Sequence, residues 1–244
     1  MVSRQQRAID DSWICRARDL AALFPAASEV LTFYANLAEF QNELVPRVTD
    51  FDALPELASE VAEFTGRFGT DLLCQQAESL TPDLLAQAID NYWHNRDVAS
   101  PASFFARVVL QPWAICSDLQ SDDHADNHCL RCGHLPQVAV LQPQGHGNAL
   151  SLVCSLCLFE WEFPRLRCPG CLEQDSRKQE FFAADSIKGV QVNVCRGCNM
   201  YIHCVDKSRD PAAIPFVDEL SALPLDMWAR ENGLQKLQPN LAGL

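Results

Sequence analysis

The stretch V153-C-S-L-C-L-F-E-W-E-F-P-R-L-R-C-P-G-C171 decides how the second half of this chain is read. It holds two Cys-x-x-Cys pairs, Cys154/Cys157 and Cys168/Cys171, ten residues apart. Two further pairs flank it, Cys129/Cys132 before and Cys195/Cys198 after. The 21 residues between Cys132 and Cys154, and the 23 between Cys171 and Cys195, each contain two strand-like runs around a turn. A chain that leaves one knuckle and returns antiparallel brings the next pair back beside it, which is how a four-cysteine ribbon closes. The ten residues from Cys157 to Cys168 offer one strand, LFEWEF, and then Pro164, and an extended segment carries the chain away. The stretch is therefore a junction. The spacing predicts one metal site from Cys129, Cys132, Cys154 and Cys157, and a second from Cys168, Cys171, Cys195 and Cys198.

Working outward, the strand-like runs are 137–142, 149–153, 158–163, 180–185, 190–194 and 200–205, separated by turn residues. The same unit occurs twice at an offset of about forty residues, a length that rarely buries enough apolar surface to fold alone. A structural metal contributes roughly 10–16 kcal/mol and decides whether such a unit folds. The expected organisation is α+β. A helical bundle occupies 1–120, followed by a linker at 121–128, a first rubredoxin-like or zinc-ribbon module at 129–166, a second at 167–208, and a C-terminal helix and tail at 209–244. Thioredoxin-like redox chemistry needs one Cys-x-x-Cys at a helix start in a βαβ context, which this sequence lacks.

The front half shows helical periodicity. Ile9, Trp13, Leu20 and Leu23 form one set, Val30, Tyr34, Leu37 and Leu44 a second, and Leu57, Val61, Phe64, Phe68 and Leu72 a third. Thr81-Pro82 and Ser100-Pro101 are helix starts, and Pro112 should disturb the last helix. Of the lone cysteines, Cys15, Cys74 and Cys116 are expected as buried apolar residues. Cys204 lies on the final strand near the second site, and His124 and His128 are expected to be solvated linker residues.

The charge bounds the partners. The chain of 244 residues carries a net charge of −13, with 20 acidic and 8 basic residues before Cys129 and 12 and 11 from there on. Phosphate backbones draw on Lys and Arg, so nucleic acid is a poor default partner. Arg165, Arg167, Arg177, Lys178, Lys188 and Arg196 nevertheless keep a nucleic-acid-binding ribbon as an alternative. No apolar run of about 18 residues predicts membrane insertion, and no secretory pattern is visible, so a cytoplasmic location is expected. No phosphate-binding glycine loop or HExxH is present. Sites closed by four cysteines leave no open position for water or substrate, so the expectation is a binding protein and not an enzyme.

The run CLRCGHLP…VCSLCLFEWEFPRLRCPGC…VCRGCNMYIHCV resembles the formate dehydrogenase accessory protein family, FdhE. The features shared are Gly133 and Pro136 after the first pair, Cys154, Cys157 and Trp161 in the second, and Arg165 before the third. RDP at 209–211 and VDELSALPLD at 217–226 are similar to that family's closing helix. RARDLAAL (16–23) and VLTFYANLAEFQ (30–41) resemble its helical opening, with Leu31, Phe33 and Gln41 in place, while Asp19 stands where an arginine is usual. The resemblance implies two consecutive rubredoxin-like modules holding two metal ions per chain, iron or zinc. It also implies a cytoplasmic factor that contacts the catalytic subunit of a respiratory formate dehydrogenase before export. An independent rubredoxin-type electron carrier is the other alternative.

Overall fold

The computed structural model describes residues 9–96, 102–122, 125–145, 147–241 and 243. The expected helix start at Ser100-Pro101 and the linker residue His124 lie outside them. The architecture is mixed, with helices first, then a sheet bearing both thiol clusters, then short helices that return to the sheet.

Among the described residues six α-helices form the first half: α1 (Asp11–Leu23), α2 (Ser28–Leu44), α3 (Ala58–Phe68), α4 (Asp71–Ala77), α5 (Pro82–Trp93) and α6 (Ala102–Cys116). Asp10, Thr70 and Thr81 cap α1, α4 and α5 by accepting from backbone N–H groups of the first turn. Leu31, Tyr34, Leu37 and Leu44 of α2 are buried at helical spacing, as are Val61 and Phe64 of α3. The run ending at Leu72 is not one helix. It breaks at Gly69, where a Cβ would lie 2.6 Å from the Thr65 carbonyl oxygen, and Leu72 is exposed. Leu23 is exposed as well.

Pro112 does not end α6, which continues to Cys116. Proline lacks the N–H that would satisfy the carbonyl four residues earlier. Here the buried Gln41 side chain supplies it, Nε2 donating to the Val108 carbonyl at 3.1 Å. Cys15 is exposed and Cys74 and Cys116 are only half-buried, which corrects the expectation that all three are core residues.

The second half contains β1 (Pro136–Gln144), β2 (Gly147–Cys154), β3 (Glu160–Glu162), β4 (Gln179–Ala183), β5 (Val190–Cys195) and β6 (Met200–Asp206). After them come α7 (Pro215–Asp218), α8 (Leu223–Glu231) and β7 (Gln235–Lys236). Strands β1, β2 and β3 form one antiparallel meander, and β4, β5 and β6 form another. The two meanders join into one sheet of order β3-β2-β1-β6-β5-β4, because β1 pairs in parallel with β6, Val138–Leu141 against His203–Asp206. Strand β7 adds to β6 beside Met200 and Tyr201.

The period of two divides the sheet faces. Val138 and Val140 pack with Val192, Val194, Tyr201 and Val205 under the closing helices through Ala222, Leu225 and Ala229. Ala139, Leu141, Leu150, Leu152, Ile202 and Cys204 belong to the other face and to the core that continues into the helices. The halves are also tied by polar contacts. Buried Arg107 donates to the Ser155 and Pro239 carbonyls and to Gln137 Oε1, and Arg16 pairs with Asp218 and Asp210.

Candidate metal centres

Each cysteine pair sits in the same local turn. The residue after the second cysteine is left-handed in all four: Gly133 (φ 74°), Leu158 (φ 54°), Leu172 (φ 62°) and Asn199 (φ 57°). That reversal lets the N–H of Gly133, Leu172 and Asn199 return to the carbonyl of the first cysteine at 2.8–2.9 Å. It also turns backbone N–H groups onto sulfur. Arg131 donates to Cys129 Sγ at 3.4 Å, Leu156 to Cys154 Sγ at 3.3 Å and Gly170 to Cys168 Sγ at 3.3 Å. These donors favour thiolate over thiol. Gly133 and Asn199 are visible signals of the turn, since both residue types tolerate positive φ. Leu158 and Leu172 carry no such signal.

Strand pairing assembles the knuckles. Pro136 lies opposite Cys154 in the β1–β2 hairpin, and Gln179 opposite Cys195 in β4–β5. Cys129, Cys132, Cys154 and Cys157 come together in one group, and Cys168, Cys171, Cys195 and Cys198 in another, all sulfurs of a group within 4.8 Å of one another. In the first group Cys129 and Cys157 are 3.5 Å apart and Cys132 and Cys154 3.3 Å. In the second, Cys168 and Cys198 are 3.7 Å apart and Cys171 and Cys195 3.8 Å. A tetrahedron with metal–sulfur bonds of about 2.3 Å has edges of about 3.8 Å. Donor set and spacing therefore fit a four-thiolate metal in both places. The buried Cys204 joins neither group.

The two groups differ in their surroundings. Three of the first four cysteines are buried, and His134 anchors that site to the helices. Its ring nitrogens lie 3.0 Å from the Cys132 carbonyl and 3.0 Å from the Tyr92 carbonyl of α5. In the second, Cys171 is exposed and Cys198 half-buried. Gln179 Nε2 approaches Cys195 Sγ at 3.6 Å. Burial pushes the Cys168 thiol up and the Cys198 thiol up to about 11. Cys195 is held below the ordinary thiol value in spite of its burial, because the N–H groups of Cys198 and Gly197 face its sulfur. The segment expected as a linker reaches across both groups: Asp126 accepts from Trp161 Nε1 and Arg167, and Asn127 donates to the Pro169 carbonyl.

Comparison with known proteins places this arrangement. The family model "FdhE, C-terminal domain" matches residues 166–242, which contain the whole second thiol group and the closing helices. A protein FdhE homolog of Aquifex aeolicus is 22% identical over 90% of both chains. The chain is similar to FdhE proteins over nearly its whole length. An FdhE homolog of Pseudomonas putida is 32% identical over 46% of this chain and 37% of its own length. An FdhE homolog of Haemophilus influenzae is 30% identical over 47% and 38%, so these two likenesses span well under half of the relatives. The fold is that of the crystal structure of the FdhE protein from Pseudomonas aeruginosa. The TM-score is 0.69, with 98% of this chain and 96% of that one covered, at 19% identity.

Proposed function

We propose that this FdhE-like chain is a non-enzymatic accessory factor that binds the catalytic subunit of a formate dehydrogenase in the cytoplasm and assists its assembly before export. The observation that carries this reading is similarity to FdhE proteins joined to the closed character of both thiol groups, which leave no position for a reacting substrate. Each group holds one metal ion, iron or zinc: Cys129, Cys132, Cys154 and Cys157 the first, Cys168, Cys171, Cys195 and Cys198 the second. Either ion cross-links the strands it joins, and iron adds one-electron chemistry. The chain's own part is to supply aligned N–H donors to sulfur and a sheet that keeps the knuckles in register.

Four of the six basic residues that suggested the nucleic-acid reading are balanced locally: Arg167 pairs with Asp126, Arg177 with Asp175, Lys178 with Glu173 and Arg196 with Glu180. Among the described residues no helix is long and apolar enough to cross a membrane. The test is affinity capture of the chain from cells shown to express a formate dehydrogenase. Recovery of the catalytic subunit with its export signal intact is expected, together with two metal ions per chain by elemental analysis. Repeated capture without that subunit would defeat the proposal.

A further inference from the structure

One face of the sheet is left partly open. Leu141 and Leu150 floor a cleft of about 360 Å³ whose lips are Leu166 (53% exposed) and Phe181 (51% exposed). Through Leu150, Arg165, Phe181 and Asn193 it is continuous with a narrow inner pocket of about 20 Å³, floored by Ala139 and Ile202, that runs inward to Cys168 and Cys195. The cleft lies in the range of ligand sites, whereas the inner pocket is only a narrow extension of it. The floor is sheet, and β4, which carries Phe181, is the last strand of the sheet order.

The charge of this cleft is opposite to that of the chain. The sequence holds 32 acidic residues, yet among the described residues no Asp or Glu lines either pocket. The charged lining residues are Arg165 and Arg167. Asp126 occupies Arg167 at 2.6 Å. Arg165 is exposed, and among the described residues no carboxylate pairs with it. Among the described residues the other large apolar side chains exposed on this half, Leu130 and Met227, line neither pocket, so the apolar lips and the free guanidinium occur together in one place.

We propose that this cleft is the docking site for a peptide segment of the client protein in which apolar residues flank an Asp or Glu. The inference rests on the reading that the chain binds a client, and it names the surface used. Leu166 and Phe181 receive the apolar side chains, and Arg165 receives the carboxylate. Binding has a direction. A divalent ion held by four thiolates carries a net charge of about −2, so the inner end at Cys168 and Cys195 repels an anion. The carboxylate therefore registers on Arg165, and the apolar residues extend toward the thiol group.

The test uses the full, metal-loaded chain with the photo-cross-linker p-benzoylphenylalanine placed at Leu166, at Phe181, and at the exposed Leu72 of α4 as a control. Cross-links from 166 and 181 should map to one client segment containing an Asp or Glu between apolar residues. Arg165→Glu should weaken client capture by about tenfold at unchanged metal content and circular dichroism, and Arg165→Lys should retain most of it. Client captured normally but cross-linked only from position 72, or cross-links from 166 and 181 to a second copy of this chain, would overturn the inference and leave the proposed function standing. If no client is captured at all, the proposed function fails, and a labelled peptide pool of the form apolar-apolar-Asp-apolar then decides the cleft alone. Binding to the wild type that is lost with Arg165→Glu, and lost when Asn replaces Asp in the pool, upholds it. Equal binding of the Asp and Asn pools sinks it.

Discussion

The face of the sheet opposite the cleft contains a ring of buried ionisable side chains, and its disruption is the sharpest test of how the C-terminal segment is held. Lys236 of β7 places Nζ 3.4 Å from Glu219 Oε2 and 3.4 Å from Asp226 Oδ1. His203 of β6 closes the ring from the other side, Nδ1 3.5 Å from Glu219 and Nε2 3.4 Å from Asp226. All four side chains are at most 6% exposed. Tyr201 donates to Asp226 at 2.7 Å and Gln137 donates to Glu219. At an effective dielectric of about 20, each 3.4 Å contact of Lys236 is worth about 5 kcal/mol of gross attraction. Desolvating the ammonium cancels much of that, and removing one partner of a buried pair costs about 3–5 kcal/mol because the other charge stays buried.

Lys236→Met should therefore lose about 3–5 kcal/mol out of the 5–15 kcal/mol or so typical of a folded protein. With a urea slope of about 3 kcal/mol/M, the unfolding midpoint falls by roughly 1–1.7 M. The assay is urea unfolding followed by far-ultraviolet circular dichroism in metal-replete buffer. Adding Asp226→Asn removes one of the two stranded anions while leaving an oxygen to accept from Tyr201, so the double variant should be more stable than Lys236→Met alone. A loss under about 1 kcal/mol for the single variant, or simple additivity in the pair, would mean that the ring is not a coupled ionic unit.

Three further outcomes follow from the knuckles and the helix core. Gly133→Ala should cost about 1–2 kcal/mol, since φ is 74° and the new Cβ would meet Ser121 Oγ at 3.0 Å; thermal melting measures it. Gln41→Leu should cost about 1–3 kcal/mol by leaving the Val108 carbonyl without a donor above Pro112, whereas an unchanged melting temperature would show that water replaces the amide. Metal affinity should fall as pH falls, because the Cys198 thiol titrates at about 11 without metal and binding must displace its proton. Release to a coloured chelator on acidification should occur in two steps, with the site of the exposed Cys171 emptying first. Cys171→Ser, which removes that step alone and lowers the metal content to one ion per chain, assigns the order.

Much of this was legible in the sequence because the signals are local. Cys-x-x-Cys pairs and hairpin-length spacers report on neighbours a few residues away, and alternating runs such as VQVNV report on one strand. The features that escaped depend on residues far apart. Nothing in QVAVLQ or MYIHCV tells that Val138 will pair in parallel with His203, which makes one sheet of two repeats. The ring needs His203, Glu219, Asp226 and Lys236 from four separate elements, and each alone resembles an ordinary surface residue. Pro112 misleads for the same reason, since the Gln41 that accommodates it lies 71 positions earlier on another helix. Leu158 and Leu172 hide the knuckle turn because leucine rarely adopts positive φ.

The parallel contact between β1 and β6 also sets an order of events at the ribosome. Strand β1 emerges with its hairpin partner β2, so the first cysteine cage has all its strands when residue 162 is out. Its other edge waits for residues 203–206. Until then the nascent chain exposes an open strand edge rich in valine, the kind of surface that recruits the wrong neighbour. Early capture of an ion by the first cage would keep that half in shape during the wait, and starvation for metal during synthesis would harm the yield of folded chain more than stripping the finished protein.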